Sequence, residues 1–186
     1  AAQYNGRSYF ATDAGVGILY LDDGSAWRSS SPTPIFRSYL AGCGLSNSSG
    51  TPNTIIDVAA CFSTSSDNTT FMTGAAITGS TGGTWVVGTA QNKMDTGTIA
   101  ANTWYHVYQI ERTDTGVVDI LFSLQPVAGG TGSPTLPTSY DKQRRIGSFK
   151  TATATTNILA FTQRGDYGRW TAALRDENRT NPGTAA

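Results

Sequence analysis

Short runs of β-branched and aromatic residues recur along this chain every ten to twenty residues, and no segment shows a sustained helical period. From Thr54 onward they read TIIDVAACFS, TTFMTGAAIT, TWVVGTA, TWYHVYQIE, GVVDILFSL, RRIGSFKT and NILAFTQRG, separated by Gly, Asn, Ser and Pro clusters. Val, Ile, Thr and aromatic side chains suit a pleated, half-buried surface, whereas Gly and Asn supply the turns. Short strands at regular spacing with turn signals between them mark an all-β sandwich or barrel. Residues 54–170 are therefore expected to form one antiparallel β-sandwich with almost no helix.

The first 28 residues read as a separate unit. In GRSYFATDAGVGILYLDDGSAW an apolar pair, Tyr9 and Phe10, precedes a turn at 13–17 and a second run at 18–21. Asp22-Asp23-Gly24 then turns the chain before Trp27. This is a β-hairpin or meander, too small to bury its own aromatics in isolation. Tyr9, Tyr20 and Trp27 are accordingly candidate interface residues, expected to be covered by other chains. SSSPTP follows, with Pro32 and Pro34 forcing extended geometry on the residues before them. Residues 29–53 read as linker and loop, and residues 171–186 as a polar tail.

Composition narrows the function classes. Charged residues make up 14% of the 186, with 13 Lys+Arg against 13 Asp+Glu, so no basic patch points to nucleic acid. No run approaches the roughly 18 apolar residues of a membrane-spanning helix. The amino end carries no secretory signal and no initiator Met, so the chain is expected to be a processed product or a piece of something longer. Two cysteines, Cys43 and Cys61, make no disulfide framework; two buried free thiols are the expectation, with a Cys43–Cys61 bond as the alternative.

His106 is the only histidine. Side chains alternate along a strand, so Trp104, His106, Tyr108 and Ile110 share one face. RTDTG, residues 112–116, reads as a turn, after which Val118, Ile120, Phe122 and Leu124 share a face of the returning strand. Laying these two rows together gives a core of Trp104, Tyr108, Val118, Ile120 and Phe122, with His106 as a hydrogen-bonded member. A metal or catalytic role would need partners, and no Cys or second His lies near it in sequence.

Other chemistry is equally hard to assemble. No nucleophile elbow, P-loop or dinucleotide fingerprint is present. SDN at 66–68 lacks the companion motifs of β-lactamases. Asp57, Asp67, Asp95, Asp114, Asp119, Asp141 and Asp166 are scattered, mostly where an Asp caps a turn. LDDGSAW and SSDNTT are the nearest approaches to a calcium loop and lack a fuller ligand repeat. No catalytic residue, cofactor or metal ligand is therefore assigned. The sequons at Asn47, Asn68 and Asn178 are the chance yield of a Ser- and Thr-rich chain. KQRR at 142–145 keeps two readings open: a solvated strand start that discourages edge pairing, or an inter-subunit salt bridge or anion contact by Arg144 and Arg145.

Two stretches resemble known proteins. Gly6, Tyr9, Ala11, Thr12, Asp13, Gly15, Leu19, Tyr20, Asp23, Gly24 and Trp27 match a short repeat found in tail fibres and adhesin-like structural proteins of bacteriophages. YLAGCGLSNSSGTPNTIIDVAAC, MDTGTIAANTWYHVYQI, VDILFS, PTLPTSYDKQRRIGSF and AFTQRGDYGRW are similar to a domain of phage and prophage tail proteins. The resemblance implies a virion structural protein, a tail fibre or tail-tip component, with a jelly-roll-type β-sandwich. It further implies a homotrimer that contacts other virion proteins and host surface glycan, located in the virion and extracellular when assembled. The family pattern continues past its G-D-x-x-x-W segment, whereas this chain ends within sixteen residues. A fragment, or an edge supplied by a neighbouring subunit, is the corresponding expectation. NTWYHVYQIERTDTGVVDILFS also resembles the hairpin of laminin-G-like domains, which implies the alternative of a secreted carbohydrate-binding module. A polysaccharide-degrading enzyme is the third reading.

Overall fold

Strand pairing in this protein is organised by its longest hairpin. TWYHVYQIE and VVDILFS form strands Trp104–Arg112 (β11) and Val117–Ser123 (β12), joined by a tight turn with Gly116 in the left-handed region at φ 67°. Arg112 stands opposite Val117, so Tyr108 faces Leu121 and Val107 faces Phe122. The turn length sets this register, and a slip of one residue would exchange the faces.

The computed structural model describes strands Ser8–Ala11, Ile18–Asp22 and Trp27–Ser29, then residues 37–127 and 132–171. The turn at 13–17, the loop at 23–26, most of the 29–36 linker and the tail from 172, with Asn178, lie outside the described residues. By compactness the chain divides into Ala1–Arg37 and Ser38–Ala186. In the first unit, Ser8–Ala11 (β1), Ile18–Asp22 (β2) and Trp27–Ser29 (β3) form a three-stranded antiparallel meander. Its register sets Tyr9 opposite Tyr20 and Trp27 opposite Asp22. The side chains of Tyr9, Tyr20 and Trp27 lie outside the described residues.

The second unit is a β-sandwich with no helix among the described residues. Its strands are Leu40–Gly42 (β4), Leu45–Asn47 (β5), Ile55–Val58 (β6), Cys61–Thr64 (β7), Phe71–Gly74 (β8), Ile77–Thr84 (β9) and Gln91–Met94 (β10). Then come β11, β12, Lys142–Lys150 (β13), Phe161–Arg164 (β14) and Tyr167–Trp170 (β15). One sheet has nine strands in the order β13-β11-β12-β10-β9-β6-β5-β14-β15, and the other is β4-β7-β8. Pairing is antiparallel except at β10, which runs parallel to both β9 and β12. Residues 85–90 make that arrangement by doubling back, with Trp85 N–H on Met94 O and Val86 N–H on Asn92 O.

Several expectations are corrected. Strands β4 and β5 occupy part of the stretch read as loop, so the sandwich begins before Thr54. The two apolar rows of the β11–β12 hairpin fall on opposite faces, because four residues separate Arg112 from its partner Val117. Val118, Ile120 and Phe122 share their face with Val107 and Gln109 instead. Tyr108, Ile120 and Phe122 are buried as expected, whereas Val118 is half-buried and Trp104 is 49% exposed. Leu124 is also exposed. Cys43 and Cys61 form a disulfide rather than two free thiols. The β4–β7 ladder sets Gly42 opposite Cys61 and so brings the two Cα atoms to 4.2 Å.

The hairpin is buried on both faces. Tyr105, Val107, Ile120 and Phe122 join Leu45, Ile56, Val58, Met94, Ile146 and Phe149 in the main core. Tyr108, Ile110 and Leu121 pack on the other side with Tyr140, Trp85 and Leu136. The small sheet lies over β11 and β12, where Gln109 Oε1 accepts from Ser63 Oγ at 2.6 Å and Gln109 Nε2 donates to Cys61 O at 3.2 Å.

The nine-stranded sheet curls until edge strand β13 meets β14. No backbone ladder joins these two strands. Gln163 takes its place: Oε1 accepts from Ser148 N at 3.1 Å, and Nε2 reaches Gly165 O at 2.9 Å and Ile146 O at 3.5 Å. Gly147 permits the approach, since a Cβ there would fall on Leu45 Cδ1 and Gln163 Oε1.

Candidate functional site

A groove follows this seam. Its cationic end, a depression of about 560 Å³, is lined by Arg144, Arg145, Pro126, Val127, Gly165 and neighbours. Its aromatic end, about 280 Å³, is lined by Trp104, Phe161, Trp170, Gly168 and Arg169. Ser148, Gln163 and Asp166 line both depressions and so join them. Strand β13 supplies the arginines, β11 supplies Trp104, and the β14–β15 hairpin supplies Asp166 and Trp170.

Each end has an identifiable chemistry. Trp104 and Trp170 approach to 5.9 Å between ring centroids at an interplanar angle of 46°. The tilt leaves Trp104 uncovered on one side, and Tyr167, 72% exposed, stands on the same hairpin as Trp170. Arg144 Nη2 donates to Ser38 O at 3.2 Å and Arg145 Nη1 to Pro126 O at 3.0 Å. Among the described residues neither guanidinium has a carboxylate partner. An arginine presents five N–H donors, so most have no partner among the described residues. Asp166 is exposed and makes no hydrogen bond among the described residues. Its carboxylate is an acceptor for hydroxyl donors.

His106 lies beneath the groove rather than in it. Its Nδ1 shares a hydrogen bond of 2.8 Å with Ser148 Oγ. Burial, and then the charge of Arg145, holds the imidazole below its ordinary range. It positions Ser148, as a hydrogen-bonded strand residue does.

The other charged candidates are occupied in holding the fold. Lys142 Nζ binds Asp67 at 2.7 Å within this chain, which answers the first member of the KQRR cluster. Burial raises the Asp67 pKa, but the hydrogen bonds from Lys142, Ser65 and Thr69 outweigh it and hold this carboxyl well below the usual range. Asp95 accepts from Ser123, Asp114 from Arg112 and Asp141 from Thr113. Lys93 and Asp119 form a fully buried pair at 2.7 Å. Asp119 also accepts the N–H groups of Gly88 and Ile120, while Lys93 donates to Val86 O and lies 5.3 Å from the Trp85 ring. That pair pins the doubled-back segment 85–90 onto β12. Burial pushes the Lys93 ammonium pKa down and Asp119 opposes the shift.

A second cleft, about 710 Å³, lies across β5, β6, β9 and β14 and is lined by Asp57, Ser46, Thr78, Thr89, Thr162 and Arg164 among others. No aromatic side chain among the described residues lines it. Among the described residues, one carboxylate lines the cleft, Asp57, and one the groove, Asp166. No group of three His, Cys, Asp or Glu residues is placed to hold a metal ion among the described residues. No helix among them is long and apolar enough to cross a membrane.

Of the interface candidates, Arg144 and Arg145 thus meet at one groove, while Tyr9, Tyr20 and Trp27 belong to the other unit. Trp104, Trp170, Ser148, Gln163 and Asp166 were not legible as site residues. Counting outward from the RTDTG turn would have placed Trp104 on the face opposite Phe122. Comparison with protein-family models, curated proteins and solved structures finds no match to this chain.

Proposed function

We propose that this chain is a virion structural protein, a tail fibre or tail-tip component that contributes to assembly and host-surface attachment. The observation that carries the reading is the series of phage-tail-like motifs from Gly6 to Trp170, laid out on a β-meander unit and a separate β-sandwich unit. The jelly-roll type of the sandwich, the virion location and the homotrimer belong to the same reading and rest on the resemblance. A meander whose three strands carry seven large apolar residues, Tyr9, Phe10, Ile18, Leu19, Tyr20, Leu21 and Trp27, is covered most readily by equivalent segments around a symmetry axis. No catalytic residue is part of this reading.

Sedimentation of the full chain tests the proposal. A trimer at micromolar concentration is expected, reduced to a monomer on deletion of residues 1–28. A full-length monomer would overturn it. One observation favours a second reading, the carbohydrate-binding module: the exposed Trp104 beside Trp170. That reading expects a monomer that binds sugar.

A further inference from the structure

We propose that the seam groove binds an acidic polysaccharide in which uronate residues alternate with neutral sugars. The proposal deepens the host-attachment reading and rests on it. Trp104 and Trp170 would take the apolar face of a pyranose ring, and Arg144 and Arg145 the uronate carboxylate.

Three observations lead there. Trp104 opens β11 yet leaves about half its surface, 49%, in water, which its own packing does not explain. The exposed side of Trp104, with the half-buried Trp170 tilted beside it, offers a platform for the C–H face of a sugar, as aromatic side chains do for other flat or apolar surfaces. Among the described residues the two guanidiniums bond only to backbone carbonyls, and their remaining donors match the paired oxygens of a carboxylate. Between the two ends, the carboxylate of Asp166 accepts hydroxyl donors.

Asp166, between Arg144 and Arg145 at one end and Arg169 at the other, also selects the charge pattern. A polymer charged at every residue, such as a polyphosphodiester, would press an anion against it. An alternating polymer sets a carboxylate at the arginines and a neutral ring at the tryptophans. Nucleic acid fails on the same ground, and the chain carries 13 cationic against 13 anionic side chains. Gln163 adds no selectivity, because its amide is already bonded to Ser148, Gly165 and Ile146.

The test is binding of the full chain to a panel of bacterial surface polysaccharides, half of them uronate-containing, with polyglycerol phosphate and neutral glucans included. Retained ligands should fall in the uronate half and weaken as salt rises. Trp104→Ala and the Arg144→Gln/Arg145→Gln pair should each lower affinity about tenfold or more. Trp104→Phe should restore much of the first loss, which separates stacking from misfolding. Equal binding of neutral and uronate polymers, tighter binding of polyglycerol phosphate, or no polysaccharide bound at all would overturn the proposal. So would loss of self-association in the Trp104 or arginine variants, which would make the groove a contact between copies. A trimer that binds no sugar sinks the ligand but spares the structural-protein reading; a monomer sinks that reading itself.

Discussion

Single side chains carry measurable consequences. Phe122 is fully buried and meets Phe149 edge to face at 5.2 Å, so truncation leaves a cavity in the main core. Phe122→Ala is expected to cost about 3–5 kcal/mol in urea unfolding, the usual penalty for a buried aromatic. Glu111 is the opposite case, a residue that opposes folding near neutral pH. It is 9% exposed, and its Oε2 has no hydrogen-bond partner among the described residues. Burial, reinforced by Asp141 and opposed by Lys142, pushes its carboxyl above the ordinary 4.5. The native state therefore holds this proton more tightly than the unfolded chain, and stability falls as pH rises from about 4.5 through the raised value. Glu111→Gln should raise the unfolding free energy at pH 7, and the gain should vanish below about pH 4.5. An equal gain at both pH values would show that charge is not the cause.

At the scale of elements, the seam decides whether a groove exists. Strand β13 reaches β14 only because Gly147 has no Cβ; one added there would lie 2.5 Å from Gln163 Oε1 and against Leu45. Its φ is outside the left-handed region, so the obstacle is steric. Gly147→Ala should cost roughly 1–3 kcal/mol, as overpacking does, and should also weaken ligand binding by parting β13 from β14. Calorimetry of the variant checks both effects, and normal stability with normal affinity would show that the seam is not tight. The Lys93–Asp119 pair acts on another element, the parallel strand β10. Without it the tight return over six residues would lose the partner of the Val86 carbonyl, and the buried Asp119 carboxylate its countercharge.

At the scale of the whole molecule, the proposed assembly role falls on the first unit and the groove on the second. If residues 1–28 serve assembly alone, their deletion should leave the melting temperature of the sandwich unchanged while the mass in solution falls. A large drop in that temperature would tie the meander to the folding of the sandwich. The Cys43–Cys61 bond, closing 18 residues of separation, belongs wholly to the sandwich and stands where the small sheet begins.

The alternation of apolar runs and turn clusters was enough to establish an all-β chain and the buried state of Tyr108, Ile120 and Phe122, but TWVVGTA, read as a strand, is the doubled-back segment after β9, and β10 at Gln91–Met94 was missed. Those properties are local: side-chain period and turn chemistry act within a few residues. Which face Trp104 joined was not settled by periodicity, because either row of β11 carries enough apolar residues, and only the turn register chose between them. The disulfide, the parallel placement of β10 and the groove joining Arg144, Arg145, Asp166, Trp104 and Trp170 came from contacts between residues distant in sequence. Sheet curl brings β13 to β14, and that depends on the twist summed over nine strands and on one missing Cβ at Gly147.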